Sequence, residues 1–339
     1  MKKNPINTIA ITYNLKKNPR QFFDDSFEEY DEKDTVEAIK SEILKCGYKV
    51  ILIEQDDNFL KNIIKIRPEF IFNIAEGRGI YRSREAQIPS ILESLHIPYS
   101  CSDPLALSVT LDKFICNNLL KSKNIPVPLM YTVKSKSALN SLKNIFNHKR
   151  FFIIKPRWEG SSKGIFIDSL VSDFKDLKKK TEIIFYKYNQ PAVIEEFLER
   201  DEITVGVLGN DQPKVITMMR ILPKKKRGLF LYSLEVKRRW QEEVQYQPRQ
   251  NIPKRIQKLL CGYALRAFSF LGLRDIARID FRLDKDNRPC IIDINPLPGL
   301  SPSYSDLPIG YRLNGGTYSN LIKGILKAAL KRYGLAFKN

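Results

Sequence analysis

The stretch IIKPRWEGSSKGIF, residues 153–166, sets an apolar pair before Lys155 and Pro156. It then gathers Gly160, Ser161, Ser162, Lys163 and Gly164 ahead of a second apolar run. Glycines let backbone amides approach a ligand, serines add hydroxyl donors, and Lys155 can reach the same guest, so the natural ligand is an anion such as phosphate. No GK[ST] opens a helix here, which excludes a Walker A loop. A second group lies in RIDFRLDKDNRPCIIDINP, where Asp280, Asp293 and Asn295 stand in otherwise apolar strands. Asp293 and Asn295 are two residues apart and project from one face. Acids in such strands are costly to bury alone. Two carboxylates and an amide oxygen are hard donors that suit Mg²⁺ bridging nucleotide phosphates; the alternative is that they pair with Arg278 or Arg282. A third group, AVIEEFLERDEITVGVLG, runs an apolar strand into Glu195 and Glu196, with Glu202 after a short turn. A strand edge of this kind binds adenine through backbone groups and ribose hydroxyls through an acid; the alternative is a solvated face.

These residues need a scaffold, and the periodicity supplies one. TIAITYNL, KVILI and EFIFNIA read as strands. Between them, DTVEAIKSEILKCGY has helical spacing, with Asp34 as N-cap and Gly47 as stop, and FLKNIIKIRP is a short helix ended by Pro68. REAQIPSILESLHI is helical with Pro89 early in it or kinking it. The rhythm predicts an open parallel sheet over residues 1 to about 100. LSVTLDKFICNNLLKSKNI reads as one helix, and PVPLMYTV, FFIIKP and GIFIDS as strands. A third region begins near AVIEEFLE and holds the strands EITVGVLG and KVITMMRI and a long polar loop. The helix PKRIQKLLCGYALRAFSFLGL, a hairpin turning at DKDN and a last helix YSNLIKGILKAALKRYG follow. The expected divisions are 1–101, 102–190 and 191–339.

The chain has 339 residues, 43% of them hydrophobic, enough for more than one core. Its net charge is +19, from 57 Lys and Arg against 38 Asp and Glu. The basic residues are spread, with local runs at Lys178–Lys180 and 224–227, and no zinc-finger or RNA-binding spacing accompanies them. The charge therefore reads as compositional background or as attraction for a polyanionic substrate, and no nucleic-acid partner is expected. Five cysteines without a CxxC pair fit a reducing compartment. Only His96 and His148 occur, which excludes a multi-histidine metal site. The N-terminus is too polar for a signal peptide and no run approaches a membrane span, so a cytoplasmic protein without a membrane partner is expected.

The succession LDK, IIKPRWEGSSKGI, VIEEFLERDEITVGVLG and ARIDFRLDKDNRPCIIDINPLPGLSPSYSDLP resembles the ATP-grasp superfamily, and D-alanine–D-alanine ligases most closely. FIFNIAEGRG, LESLHIPYSCSDPLALSVTLDK and GGTYSNLIKGILKAAL are similar to further parts of that family, so the match covers most of the chain from about Phe70 onward. The resemblance implies an α/β multi-domain ATP-grasp fold with an N-terminal open parallel sheet. It implies an ADP-forming carboxylate–amine ligase that acts on amino acids or a small peptide through an acyl phosphate, with ATP and two Mg²⁺ ions, Mn²⁺ being a substitute. Lys113, Lys155 and Ser162 would hold phosphates. Glu195, Glu196, Phe197 and Leu198 would form the adenine slot and Glu202 would meet the ribose. Ser161 and Lys237 would lie on closing loops, and Arg278 with the backbone of Gly299 would stabilise the tetrahedral intermediate. Asp280, Asp293 and Asn295 would bind the metal, and Ser305 a substrate carboxylate. A homodimer is expected by the same resemblance, and a non-catalytic ATP-binding scaffold of this fold is the alternative.

The departures from the family pattern fall on the amino-acid side. The glycine-rich start and the Glu-Val-Ser element that receives the first D-alanine's amine are missing. FEEYDEKDTVEAI stands near that place, where Glu29, Asp31 or Glu32 would do a similar job or form a solvated helix start. Glu76-Gly77 replaces His-Gly, GIYRSRE with Arg82 and Arg84 replaces an acidic segment, and Arg238 replaces a loop tyrosine. Glu76, Arg82 and Arg238 are therefore candidate substrate residues. The added arginines suit an extra carboxylate on the substrate, or are solvated.

Overall fold

The structure is a computed structural model that describes residues 6–16, 24–148, 150–225 and 228–338. The extreme N-terminus and the end of the basic run at 224–227 lie outside the described residues. The first sheet is built from β1 (Thr8–Tyr13), β2 (Lys49–Glu54) and β3 (Phe70–Asn73), all parallel in the order β2-β1-β3. Both of its faces are buried. Ile9, Ile11, Phe70 and Phe72 point into one core and Ala10 and Ile71 into another, and parallel strands of this kind need cover on both sides. Helix α1 (Lys33–Lys45) covers the first face and α2 (Phe59–Ile66) the second. The N-cap of α1 is Glu32, not Asp34, which lies in the first turn where an acid favours the helix dipole. Helix α3 (Gln87–Ser94) carries Pro89 at its third position, where a missing N–H costs nothing.

The expected single helix after residue 104 is two. Helix α4 (Pro104–Leu111) stops at Asp112, whose extended backbone (φ −81°, ψ 91°) and side chain, accepting from the Ile115 amide at 3.1 Å, start α5 (Lys113–Ser122). The second sheet is antiparallel, β4-β7-β5-β6, from β4 (Met130–Val133), β5 (Phe152–Pro156), β6 (Leu170–Val171) and β7 (Ala192–Glu196). It is backed by α6 (Phe174–Tyr188). GIFIDS is a turn and a short 3-10 segment, with only Leu170 and Val171 extended. β7, read from sequence with the third region, pairs with β4 and β5 and is an interior strand, not an edge.

The third sheet has the order β10-β9-β8-β11-β12, all antiparallel. It combines β8 (Glu202–Leu208), β9 (Lys214–Pro223), β10 (Val244–Pro248), β11 (Ile276–Leu283) and β12 (Pro289–Asn295). The expected polar loop before β10 contains α7 (Leu234–Arg238) and α8 (Trp240–Glu243). Helix α9 (Lys254–Phe270) packs with α5 on the apolar face of this sheet. Helix α10 (Asp306–Leu313) lies across β9, and α11 (Tyr318–Arg332) returns to pack on α1 and the first sheet. No helix among the described residues is long and apolar enough to cross a membrane. The five cysteines are free thiols.

Candidate active site

Strand alternation builds the site from two facing sheets. On β5, Phe152 and Ile154 enter the core while Ile153 and Lys155 face a cleft; on β7, Ala192 and Ile194 enter the core while Glu195 faces the cleft. Lys155 Nζ meets Glu195 at 2.8 Å, and both are nearly enclosed. Opposite them, Ala277, Ile279 and Phe281 of β11 are core, leaving Arg278, Asp280 and Arg282 on the cleft side. Asp280 is registered against Asp293, and Arg278 against Asn295. The cleft, of about 720 Å³, also takes Ser161, Ser162, Glu196, Phe197, Leu198, Glu202 and Lys237 into its wall. The chain leaves β7 at Phe197 and Leu198, so the peptide groups facing the cleft come from the strand's end, which corrects the expected edge.

The charges in the cleft hold one another. Lys113, first residue of α5, donates to the Glu159 carbonyl at 2.5 Å and stands 3.8 Å from Asp293. Burial would raise the Asp293 carboxyl, but Lys113 and Lys155 outweigh it and hold it below the usual range. Asp280 receives a bidentate pair from Arg278, with Nη2 at 2.9 Å, and the Thr204 hydroxyl at 2.8 Å. Burial works against the Arg278 charge, and Asp280 and Asp306 more than restore it. The alternative read from sequence is thus met for Asp280, which pairs with Arg278, whereas Asp293 and Asn295 pair with neither arginine. Burial raises Glu202 to about 7 although Arg282 lies 3.4 Å away. Arg282 stacks over Phe197 at 4.3 Å. Glu196 turns outward to Arg150 at 3.3 Å. No group of three or more His, Cys, Asp or Glu forms a metal cluster among the described residues; the oxygen set here is two aspartates and one asparagine.

A second, larger cavity of about 1190 Å³ adjoins the first and shares Ser161, Tyr232, Lys237 and Arg278 with it. Asn295, Gly299, Ser305, Glu76 and Arg238 line it. A side chain at Gly299 would meet the Ser305 hydroxyl at 2.8 Å, so only glycine lets that hydroxyl, which accepts from the Ser301 amide at 3.0 Å, stay in place. Arg82 lines neither cavity: its Nε pairs with Asp112 at 2.6 Å.

An acidic segment, residues 24–32, crosses from the first sheet to the glycine-rich loop. Glu29 accepts from the Gly160 amide at 2.5 Å and pairs with buried Arg84. Asp25 accepts from the Gly164 amide at 2.9 Å and from the Tyr188 hydroxyl at 2.5 Å. Glu28 pairs with Arg238 on α7 and with Lys16 at 3.3 Å. Ser161 and Ser162 between them adopt left-handed backbone (φ 50° and 60°), which L-residues enter at a cost of about 1 kcal/mol or more each. The anions that engage the loop amides here are thus the chain's own carboxylates. Sequence reasoning missed Asp25, Asp112, Glu159 and Tyr232, and it read Arg84 as a substrate or surface residue where the structure pairs it with Glu29. The contacts of Asp25 with Tyr188, Asp112 with Arg157, Glu159 with Gln190 and Tyr232 with Asp306 join residues 31 to 163 apart in sequence, beyond the reach of local pattern.

Comparison with known proteins gives the family and the fold. Residues 119–327 match the family model described as D-ala D-ala ligase C-terminus. An uncharacterised protein of Sinorhizobium fredii is 30% identical over 312 residues, covering 88% of each chain. A D-alanine–D-alanine ligase of Carboxydothermus hydrogenoformans is 29% identical over 303 residues, 88% of this chain and 93% of that one. The fold is shared with a D-alanyl-alanine synthetase A from Vibrio cholerae (TM-score 0.75, 18% identity, 96% of this chain and 99% of that one). It is shared also with the VanG D-Ala:D-Ser ligase from Enterococcus faecalis (TM-score 0.71, 18% identity, 96% and 99%). With more than half of the chain matching one family model and the cleft between its antiparallel sheets lined as described, this protein belongs to the D-alanine–D-alanine ligase family and is an ATP-dependent ATP-grasp ligase that forms a C–N bond.

Proposed function

We propose that the protein joins two amino acids, or an amino acid and a small peptide, with D-alanine or a relative of it among the substrates, and releases ADP and phosphate. The observation that carries this reading is the junction of the two cavities at Arg278, Ser161 and Lys237. The smaller cleft offers Ile153, Phe197 and Leu198 to an adenine ring and Lys113 and Lys155 to phosphates. Glu202 would accept from a ribose hydroxyl. The larger cavity offers Ser305, Gly299 and Arg278 to an amino acid.

A carboxylate is a poor electrophile. Transfer of the terminal phosphoryl group of ATP to a substrate carboxylate oxygen gives an acyl phosphate and ADP. Attack of a free amine on that carbonyl then expels phosphate and leaves an amide, the amine's proton going to solvent or phosphate. Arg278, held charged at the junction, neutralises the oxyanion of the tetrahedral intermediate. Lys113, Lys155 and Lys237 balance the phosphoryl oxygens. Asp280, Asp293 and Asn295 are oxygen donors on one sheet face and fit two Mg²⁺ ions, or Mn²⁺, which when bound would neutralise phosphate charge. Ser161 and Ser162 on the strained loop exclude water from the acyl phosphate. A homodimer is part of this proposal by family resemblance only.

The test is ADP release in a coupled assay across a panel of D- and L-amino acids, with and without Mg²⁺. Amino-acid-dependent release that vanishes in Asp293→Ala supports the reading. Nucleotide binding without release under any pairing would sink it.

A further inference from the structure

The larger cavity is more acidic than two neutral amino acids require, and we infer that one substrate is a basic amino acid, or a peptide bearing one, whose side-chain cation sits between Asp31 and Glu76. This rests on the ligase reading and names the substrate class of the same site. The balance of charge carries it. Among the acids bordering the cavity, Glu28 is matched by Arg238 and Lys16 and Glu29 by Arg84, while Asp306 accepts from the hydroxyls of Tyr232 and Tyr246 at 3.0 and 3.1 Å. The carboxylates of Asp31 and Glu76 have no hydrogen bond or ion pair among the described residues. Glu85, only 7% exposed, likewise has no hydrogen bond or ion pair among them; it feels Arg84 and Lys113 at longer range and acts electrostatically on Glu76. The adjacent base, Arg84, is engaged by Glu29 and by Glu159 at 3.4 Å. The remaining bases on the wall are also accounted for: Arg278 holds Asp280, and Lys237 lies over the Tyr232 ring at 4.9 Å, on the border with the nucleotide cleft.

Two amino-acid zwitterions bring no net charge. The donor keeps its ammonium, and the acceptor must lose a proton to attack while keeping its carboxylate. A neutral pair therefore leaves half-buried carboxylates without a counter-ion, an expensive arrangement, and one side-chain ammonium or guanidinium supplies it. Burial, then Glu85 and Glu29, raise the Glu76 carboxyl well above the usual range, and burial, then Glu32, push Asp31 up to about 7. Both are the behaviour of acids whose cation is missing. Of the arginines that from sequence alone favour an acidic substrate, Arg82 is held by Asp112, Arg84 stands behind Glu29, and Arg238 lines the cavity but is paired with Glu28.

The experiment is ADP release by the full chain with ATP, Mg²⁺ and alanine, lysine, arginine or glutamate in both configurations, singly and in pairs. Lysine or arginine is expected to show kcat/KM about 10-fold or more above alanine of the same configuration, and Glu76→Gln and Asp31→Asn each to cut that ratio about 10-fold. Glu76→Asp should keep most of the preference, which a merely structural role would not. If the neutralised variants fail to fold, the melting shift of the parent protein with lysine against alanine at pH 8 reads the same contact. Equal or better turnover with alanine or glutamate, or a ratio unmoved by both substitutions, overturns the inference and leaves the ligase reading standing. Absence of ADP release with every amino acid, while ATP binds, overturns both.

Discussion

Arg278 and Asp293 lie 15 residues apart in sequence yet divide the cleft's work, one on β11 at the junction of the cavities and the other on β12 beside Lys113. Asp293 is bound by no arginine and its one ion pair, to Lys113, is long at 3.8 Å, so its loss removes chiefly an oxygen donor. Asp293→Ala is expected to lower ADP formation at least about 100-fold with the melting temperature little changed, as read by the coupled assay and by calorimetry. Asp31 gives a second outcome. Its carboxyl is raised from 3.8 to about 7, so the folded chain holds that proton more tightly than the unfolded chain does. The stability this confers is present below pH 3.8 and is lost as pH rises through 7. Without ligand, Asp31→Asn should therefore gain melting temperature over the parent progressively between pH 4 and pH 7; an unchanging gap would contradict the assignment. Asp280 and Asp293 were legible because acids in apolar alternating strands stand out. The pairing of Arg84 with Glu29 was not, since each looks like an ordinary surface charge until the fold brings them together.

At the level of single elements, the break at Asp112 matters most. A side chain fully buried there accepts from the Ile115 amide and pairs with Arg157 at 2.8 Å and Arg82 at 2.6 Å, and it sets Lys113 on the cleft. Asp112→Ala leaves Arg157 buried without its counter-charge and should cost about 3 kcal/mol in urea unfolding, with a raised KM for ATP. Gly164 is similarly constrained. At φ 76° a Cβ there would come within 2.3 Å of the Pro156 ring, so Gly164→Ala must displace the loop and should slow ADP formation more than it weakens ATP binding. Neither requirement shows in local pattern. The residues around Asp112 keep apolar helical spacing on both sides, and the polar stretch before β10 hides two short helices whose order comes from packing of Tyr232, Val236 and Trp240 rather than from periodicity. The long helices α1, α9 and α11, the parallel strands and the hairpin were plain from their period and turn residues.

Across the whole molecule, residues 24–32 leave the first sheet, grip the Gly160 and Gly164 amides of the loop after β5, and reach Arg238 on α7 beside the third sheet. Three sheets are thus tied at one rim, while α11 ties the last part of the chain back to the first. In a chain of net charge +19, this acid-dense segment stands opposite the prevailing sign. The outer ion pairs of this fastening, Glu28 with Lys16 and Arg238, reach water and answer to dissolved electrolyte in a way that greasy contacts do not. Going from about 50 mM to about 500 mM KCl shortens the reach of those pairs, so protease nicking near Trp158–Gly164 should accelerate, and a rate that stayed flat would mean the rim is held by something other than charge.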